Sequence, residues 1–211
     1  MNQIPAGQQD AVQAMLDEYA IRQVVQNWAL WRDTCAWESL RGCYAPEARV
    51  QTTWMVGSSV EFIAASTENA ARPQAPRSQH SIGAMTVELN GARALAETRM
   101  QLRLRGMLDG VEVDATAYGR FVDWFVRMEG RWRILRRHSI HEKDRLDPVD
   151  PAARLTLDMQ KLATFPAGYR HLAYLQSSGG AHITPDLALH NTPSQEKLYA
   201  QSRDWLHGLS G

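Results

Sequence analysis

Asp33 and His80 are the residues whose types and positions first raise chemistry in this chain. Asp33 follows Trp28 and Trp31 at the C-terminal end of an amphipathic run. A helix presents partial negative charge at that end, so a carboxylate there either faces water or has a positive or donor partner. His80 follows a polar run, Arg77-Ser78-Gln79, just before apolar residues begin. A carboxylate that accepts from one imidazole nitrogen fixes the tautomer and leaves the other nitrogen as a base. It also stabilises the imidazolium that forms. The sequence by itself does not bring the two side chains together. His138 is a third candidate. Without a bulge, Trp132, Ile134, Arg136, His138, Ile140 and Glu142 share a strand face. Trp132 and Ile134 are core residues by type, so Arg136 and His138 are expected to look inward with them; a bulge would reverse this. Tyr44 and Tyr118 are candidate proton donors. Tyr118, Arg120 and Trp124 lie on one face of a strand, with Ala117, Phe121 and Phe125 on the other. Trp28, Trp31, Trp54 and Trp124 suit a core, and around a pocket they also suit stacking on an aromatic substrate.

Other chemistries lack their residues. His138-x-x-His141-Glu142 has no metal-ligand spacing on a strand, where residues 138 and 141 point to opposite faces. There is no glycine-rich phosphate loop, dinucleotide fingerprint or G-x-S-x-G elbow. Cys35 and Cys43, the only cysteines, are read as reduced thiols without a paired histidine. The expectation is acid–base chemistry with no cofactor and no metal.

The element that must position these residues is the stretch from Arg77 to Asp144. It reads as four consecutive strands punctuated by Asn90-Gly91, Asp109-Gly110 and Glu129-Gly130. Ala94, Ala96, Thr98, Met100, Leu102 and Leu104 alternate with Arg93, Glu97, Arg99, Gln101, Arg103 and Arg105. One apolar face at period two predicts an antiparallel sheet covered on one side, with the cover supplied by everything before Arg77. Residues 10 to 33 read as a long helix whose Val12, Met15, Leu16, Tyr19, Val24, Val25, Trp28 and Trp31 form an apolar stripe. A short helix is expected over Trp37–Tyr44, stopped by Ala45-Pro46, then a strand over Ala48–Trp54. Ser58 or Ser59 caps a third helix. Beyond the sheet, Asp150-Pro151 predicts a helix start and residues 165–191 read as irregular. Thr192 to Gln195 reads as a capping box for a last helix ending at Gly208.

A chain of 211 residues, 44% hydrophobic, can bury one full domain plus an appendage. Lys+Arg and Asp+Glu both total 23, so no basic excess recruits nucleic acid. The N-terminus lacks the order of a signal peptide and no apolar run reaches membrane-span length, which points to a soluble cytoplasmic protein.

Three helices followed by a curved antiparallel meander is an α+β layout. The segments IRQVVQNWALWRDTCAWESLRGCYAPEARV, RSQHSIGAM and YGRFVDWFVRMEGRWRILRRHSIHEKD resemble the SnoaL-like branch of the NTF2-like superfamily. The resemblance implies a cone: three N-terminal helices against a strongly curved sheet over residues 1–146, with a helical C-terminal extension over 147–211. That extension packs on its own domain or on a neighbouring subunit. The resemblance also implies the pairing that spacing left open. Scytalone-dehydratase and lindane-dehydrochlorinase relatives carry an Asp at the end of the first helix and a His at the start of this strand, and Asp33 and His80 match those positions. Some members carry a catalytic arginine where this chain has Met128, beside Arg127, which leaves an arginine-assisted step in doubt. The implied function is a cofactor-independent lyase in which Asp33 orients His80 for proton abstraction and elimination. Dehydration or retro-aldol-type cleavage of a small aromatic molecule such as an aryl-propane diol fits best, with Trp28, Tyr44, Trp54, Tyr118, Arg120 and His138 against the substrate. Polyketide-cyclase or ketosteroid-isomerase-like chemistry is the alternative, as is a non-catalytic subunit of a ring-hydroxylating dioxygenase. A homo-oligomer is implied, a trimer ahead of a dimer.

Overall fold

The computed structural model describes residues 6–209, so the leader-free reading of the first five residues lies outside it. The elements are α1 (Ala6–Asp33), α2 (Trp37–Arg41), β1 (Tyr44–Gln51), β2 (Val56–Ser58), α3 (Ser59–Ala70), β3 (Arg77–Asn90), β4 (Arg93–Leu108), β5 (Val111–Met128) and β6 (Arg131–Pro148). The C-terminal part adds α4 (Met159–Ala163), α5 (Arg170–Ser178), β7 (Ala188–Leu189) and α6 (Pro193–Leu206). All seven strands form one sheet in the order β2-β1-β6-β5-β4-β3, with β7 continuing along β6. The pairs from β3 to β6 are antiparallel; β1 and β7 run parallel to β6. Among the described residues no helix is long and apolar enough to cross a membrane.

Local chemistry accounts for most boundaries. Asp109-Gly110 and Glu129-Gly130 hold two positive φ angles each, the geometry whose twist matches a two-residue hairpin. The first turn sits one residue later than its Asn-Gly suggests. Asn90 pairs with Arg93, so Gly91-Ala92 is the loop, and Gly91 carries the positive φ. Ser58 caps α3 in a full capping box with Glu61.

Four expectations need correction. The second helix ends at Arg41, and β1 begins at Tyr44 and passes through Pro46. The β1–β6 register is interrupted between Tyr44 and Arg49, and a residue with no N–H to donate fits that interruption. Asp150 does not open a helix: its carboxylate takes the Ala152 N–H in a local turn, and α4 starts later, capped by Asp158. The stretch read as irregular contains α5 and β7. The capping box at α6 does not form, because Gln195 turns its side-chain oxygen to the Asn191 N–H and to Arg120.

The sheet is covered on both faces. α1 and α3 lie on the concave side over Ala94, Ala96, Met100, Phe121, Phe125 and Ile134. The cover there is shared with the C-terminal segment, whose Leu162, Leu172, Tyr174 and Leu175 bury Leu108, Val113, Ala115 and Ala117. On the convex side α6 lays Trp205 against Trp124 with ring centroids 4.8 Å apart, and Trp124 Nε1 donates to Ser202 Oγ at 2.9 Å. Leu198 joins Val122 and Ile140 in a small apolar cluster. One-sided alternation in β4 therefore did not mean an open second face, because a non-local helix covers it.

Two bulges on β6 decide which side chains enter the cone. Phe125 pairs with Ile134 and Trp124 with Arg136, so Leu135 has no partner opposite. Tyr118 pairs with Lys143 and Gly119 with His141, which leaves Glu142 over. An extra residue reverses the faces downstream of it. Arg137, Ser139 and His141 thus turn inward and are buried.

Candidate active site

Asp33 closes α1 and His80 lies on β3, whose inward residues face that helix. The imidazole Nδ1 is 2.7 Å from Asp33 Oδ1. The same carboxylate accepts the Ser78 hydroxyl at 3.1 Å and the backbone N–H of His80 through Oδ2. Three donors supply what a carboxylate at a helix C-terminus lacks, and the backbone N–H ties it to the residue whose ring it orients. With Nδ1–H donated to Asp33, Nε2 carries the free lone pair.

The surroundings hold His80 neutral. Burial presses its pKa below the ordinary histidine value, the hydrogen bond and charge of Asp33 work against that, and the cations of Arg32 and Arg137 add to the downward pull. Trp28 packs edge-on to the imidazole, centroids 5.2 Å apart. Beyond it Arg137 is clamped between the rings of Trp28 and Phe121, at 4.0 and 4.1 Å. Arg137 pairs with Asp123 through bonds of 2.8 and 2.6 Å, with both side chains almost wholly buried. Burial pushes the Asp123 carboxyl up, and the guanidinium opposite pulls it back. The bidentate geometry is that of an ion pair.

The guanidinium and the two rings that clamp it occupy the layer behind the dyad. A groove of about 450 Å³ runs beside α1 and β3, lined by Gln26, Ala29, Leu30, Asp33, Thr34, Gln79, His80 and Ile82. Ala29, Leu30 and Ile82 make an apolar wall, while Gln26, Thr34 and Gln79 offer amides and a hydroxyl.

The other expected substrate contacts fall in two places. Trp28 and Tyr44 lie behind the dyad, both buried, with Trp28 Nε1 donating to the Tyr44 hydroxyl at 2.6 Å. Burial raises the Tyr44 pKa further above its ordinary value, which makes it a poor proton donor. Trp54 reaches this layer through Phe62, 5.8 Å between centroids. Tyr118, Arg120 and His138 are on the convex face, away from His80, which corrects their expected place against the substrate. Arg120 is held by Glu97 at 2.8 Å, Glu142 at 3.1 Å and Gln195 at 2.9 Å. Tyr118 lies under the Lys143 ammonium. His138 meets Gln51 at 3.1 Å and turned outward because Leu135 bulges. Arg137 took its inward place. An acidic residue inside the apolar run FVDWFV was the available signal for a buried cation. Gln26, Thr34 and Ile82 gave no signal, since exposed polar and apolar residues on α1 and β3 have no distinguishing pattern.

Residues 13–138 match the SnoaL-like domain family. A PEP2-like protein of Fusarium vanettenii is 31% identical over 205 residues, covering 92% of this chain and 87% of that one. Pea pathogenicity protein 2 of the same fungus is 30% identical over the same shares. Among solved structures, a candidate scytalone dehydratase from Novosphingobium aromaticivorans superposes with a TM-score of 0.55 at 14% identity, covering 69% of this chain and 99% of that one. A hexachlorocyclohexane dehydrochlorinase gives 0.56 at 9% identity, covering 71% and 99%. These likenesses and the seven-stranded curved sheet with its helical cover agree: the chain belongs to the SnoaL-like domain family, in the NTF2-like superfamily.

Proposed function

We propose that this protein is a cofactor-independent lyase acting on a small molecule with an apolar, aromatic body and hydroxyl groups, of the aryl-propane diol kind. The observation that carries the reading is the Asp33–His80 contact of 2.7 Å at the edge of a groove. His80 Nε2 takes a proton from carbon or from a hydroxyl. In elimination the C–H pair becomes the new C=C bond and a hydroxyl leaves with the C–O pair. In retro-aldol cleavage the O–H pair becomes the C=O of the released carbonyl fragment, and the C–C pair stays on the other fragment as a carbanion. The imidazolium, stabilised by Asp33, returns its proton to the departing oxygen or to the carbanion. General-base action of this kind contributes roughly 10²–10⁴-fold. The apolar wall of Ala29, Leu30 and Ile82 suits the ring of the substrate, and Gln26, Thr34 and Gln79 suit its hydroxyls. A groove of this size is in the range of small-ligand sites. The relatives called dehydratase and dehydrochlorinase are both named for eliminations, which supports the class of reaction.

The test is turnover of a panel of aryl-substituted diols and hydroxyketones, with products identified by mass. Loss of water or of a small aldehyde is expected; a product of unchanged mass would instead make the protein an isomerase or cyclase. His80→Ala should lower kcat by two orders of magnitude or more with KM roughly kept. Undiminished turnover in that variant would end the proposal.

A further inference from the structure

β3 is an edge strand: it pairs with β4 on one side and, among the described residues, with no strand on the other. In an antiparallel pair, alternate residues turn their N–H and C=O toward the partner strand, and the residues between turn both groups away from it. His80 is of the second kind, because its N–H goes to Asp33 Oδ2 and not to β4. Ser81 and Ile82 follow it in unbroken register, opposite Gln101 and Met100. Ile82 therefore turns its N–H outward as well, about 7 Å further along the edge. The register slips only after it, between Ile82 and Met85.

Outward groups on an edge need a partner, and α1 supplies one residue by residue. Asp33 takes the His80 N–H, and beyond the slip Arg22 Nη2 donates to the Met85 carbonyl at 3.2 Å. Ile82 lies between those two anchor points, and no side chain among the described residues accepts from its N–H. The α1 residues that line the groove beside it cannot do so. Ala29 and Leu30 have no side-chain acceptor, and Gln26 gives its Oε1 to Gln23 at 3.5 Å. The gap in the cover thus coincides with the groove that Ile82 shares with Asp33 and His80. Elimination and retro-aldol cleavage both need something the dyad does not supply, a fixed donor at the oxygen where charge gathers. We infer that the backbone N–H of Ile82 is that catalytic donor. It bonds the departing hydroxyl oxygen in elimination, or the alkoxide formed ahead of C–C cleavage. The inference rests on the lyase reading of Asp33 and His80. Gln26, Thr34 and Gln79 also carry donors, but on side chains that rotate. A donor locked in a strand needs no reorganisation as negative charge grows opposite it.

Ile82→Pro removes the N–H and leaves the bonds between Ser81 and β4 in place, since an outward-facing position on an edge strand accepts proline. Ile82→Val keeps the N–H and most of the apolar wall. The proline variant should lose roughly 10²–10³-fold in kcat, the worth of one such donor, with KM roughly kept. The acid limb of its pH profile should stay in place, because the base is untouched. The valine variant should turn over much like the wild type. Circular dichroism and urea unfolding check that both fold. Amide hydrogen exchange read by NMR on the full chain needs no proline. In the free protein the Ile82 N–H should exchange far faster than the ladder-bonded Ser81 N–H. In His80→Ala, which binds without turning over, a saturating diol from the panel should slow the Ile82 N–H by about tenfold or more. An Ile82 N–H already protected in the free protein, or indifferent to the bound diol, overturns the inference. So does a valine variant as slow as the proline one. Near-normal turnover in Ile82→Pro, with turnover lost in His80→Ala, removes this inference and leaves the lyase reading standing. Undiminished turnover in His80→Ala removes both.

Discussion

Asp33→Asn is the substitution that separates an orienting carboxylate from a merely structural one. Asp33 accepts on both oxygens: Oδ2 takes the His80 backbone N–H, and Oδ1 takes the ring Nδ1–H and the Ser78 hydroxyl. An asparagine has one acceptor oxygen. The backbone N–H cannot move, so the amide oxygen must face it, and the NH₂ then faces the ring. Nδ1 must become the acceptor, and the proton moves to Nε2, which removes its free lone pair. The cost in turnover should be roughly 10²–10⁴-fold, the whole worth of the base. The cost in stability is smaller. Losing charge-assisted bonds removes about 1.5–3 kcal/mol, and taking a negative charge off the C-terminus of α1 returns about 0.3–1 kcal/mol. A net loss of about 1–2 kcal/mol follows from those two figures. Long-range ¹H–¹⁵N NMR of the His80 ring reads the tautomer directly and needs no substrate. The wild type should show Nδ1–H and the variant Nε2–H. Unfolding in urea gives the stability term, and residual turnover against pH gives the third readout. A wild-type ring protonated on Nε2, or a variant ring unchanged on Nδ1, would refute the reasoning whatever the activity.

Other outcomes follow from the same packing. Activity should fall on acidification with a midpoint below the ordinary histidine value, since burial favours the neutral base; a midpoint above about 6.5 would contradict the placement of His80. His141 is 4% exposed and makes no hydrogen bond through either ring nitrogen, and burial pushes its pKa from 6.5 down to about 4. A depressed histidine pKa means the unfolded chain binds the extra proton. Stability is therefore present above pH 6.5 and lost as pH falls toward 4, by about 3 kcal/mol. In His141→Leu the pH slope of unfolding between those values should lose one proton; an unchanged slope would assign the acid sensitivity elsewhere. Arg137→Met strands the Asp123 carboxylate in the core and should cost about 3–5 kcal/mol, whereas adding Asp123→Leu should recover much of it. Equal destabilisation of the single and double variants would show that packing against Trp28 and Phe121, not charge, is what Arg137 supplies.

How far the sequence could be read depended on whether the signal was local. The alternation of Ala94 to Leu104, the Asp-Gly and Glu-Gly turns and the serine cap of α3 act within a few residues, and all appear in the fold, the cap at Ser58 of the two serines open to it. Resemblance of motifs brought Asp33 to His80, a pairing 47 residues apart that no periodicity could supply. His138 failed for a definite reason. A single unpaired residue, Leu135, turned it outward and turned Arg137 in, and nothing in Arg-Ile-Leu-Arg-Arg-His marks which residue will bulge. On α1, Val12 to Tyr19 and Val25 to Trp28 were read as one stripe because both recur at three and four residues. The shift of phase near Ile21 becomes visible only once the sheet marks one side as inside.

By itself the sequence determined the three helices ahead of the sheet, the four long strands and their hairpin order, and the chemical types from which a site is built. Short-range sterics, hydrogen bonding and side-chain alternation operate before any distant contact forms. Only the tertiary structure decided which face of β6 looks into the cone, that α6 covers the back of the sheet, and that Asp33 and His80 line a groove beside α1. Those choices rest on pairing registers and on contacts between segments a hundred residues apart. Moving a register by one residue reverses every side chain while leaving the local pattern unchanged.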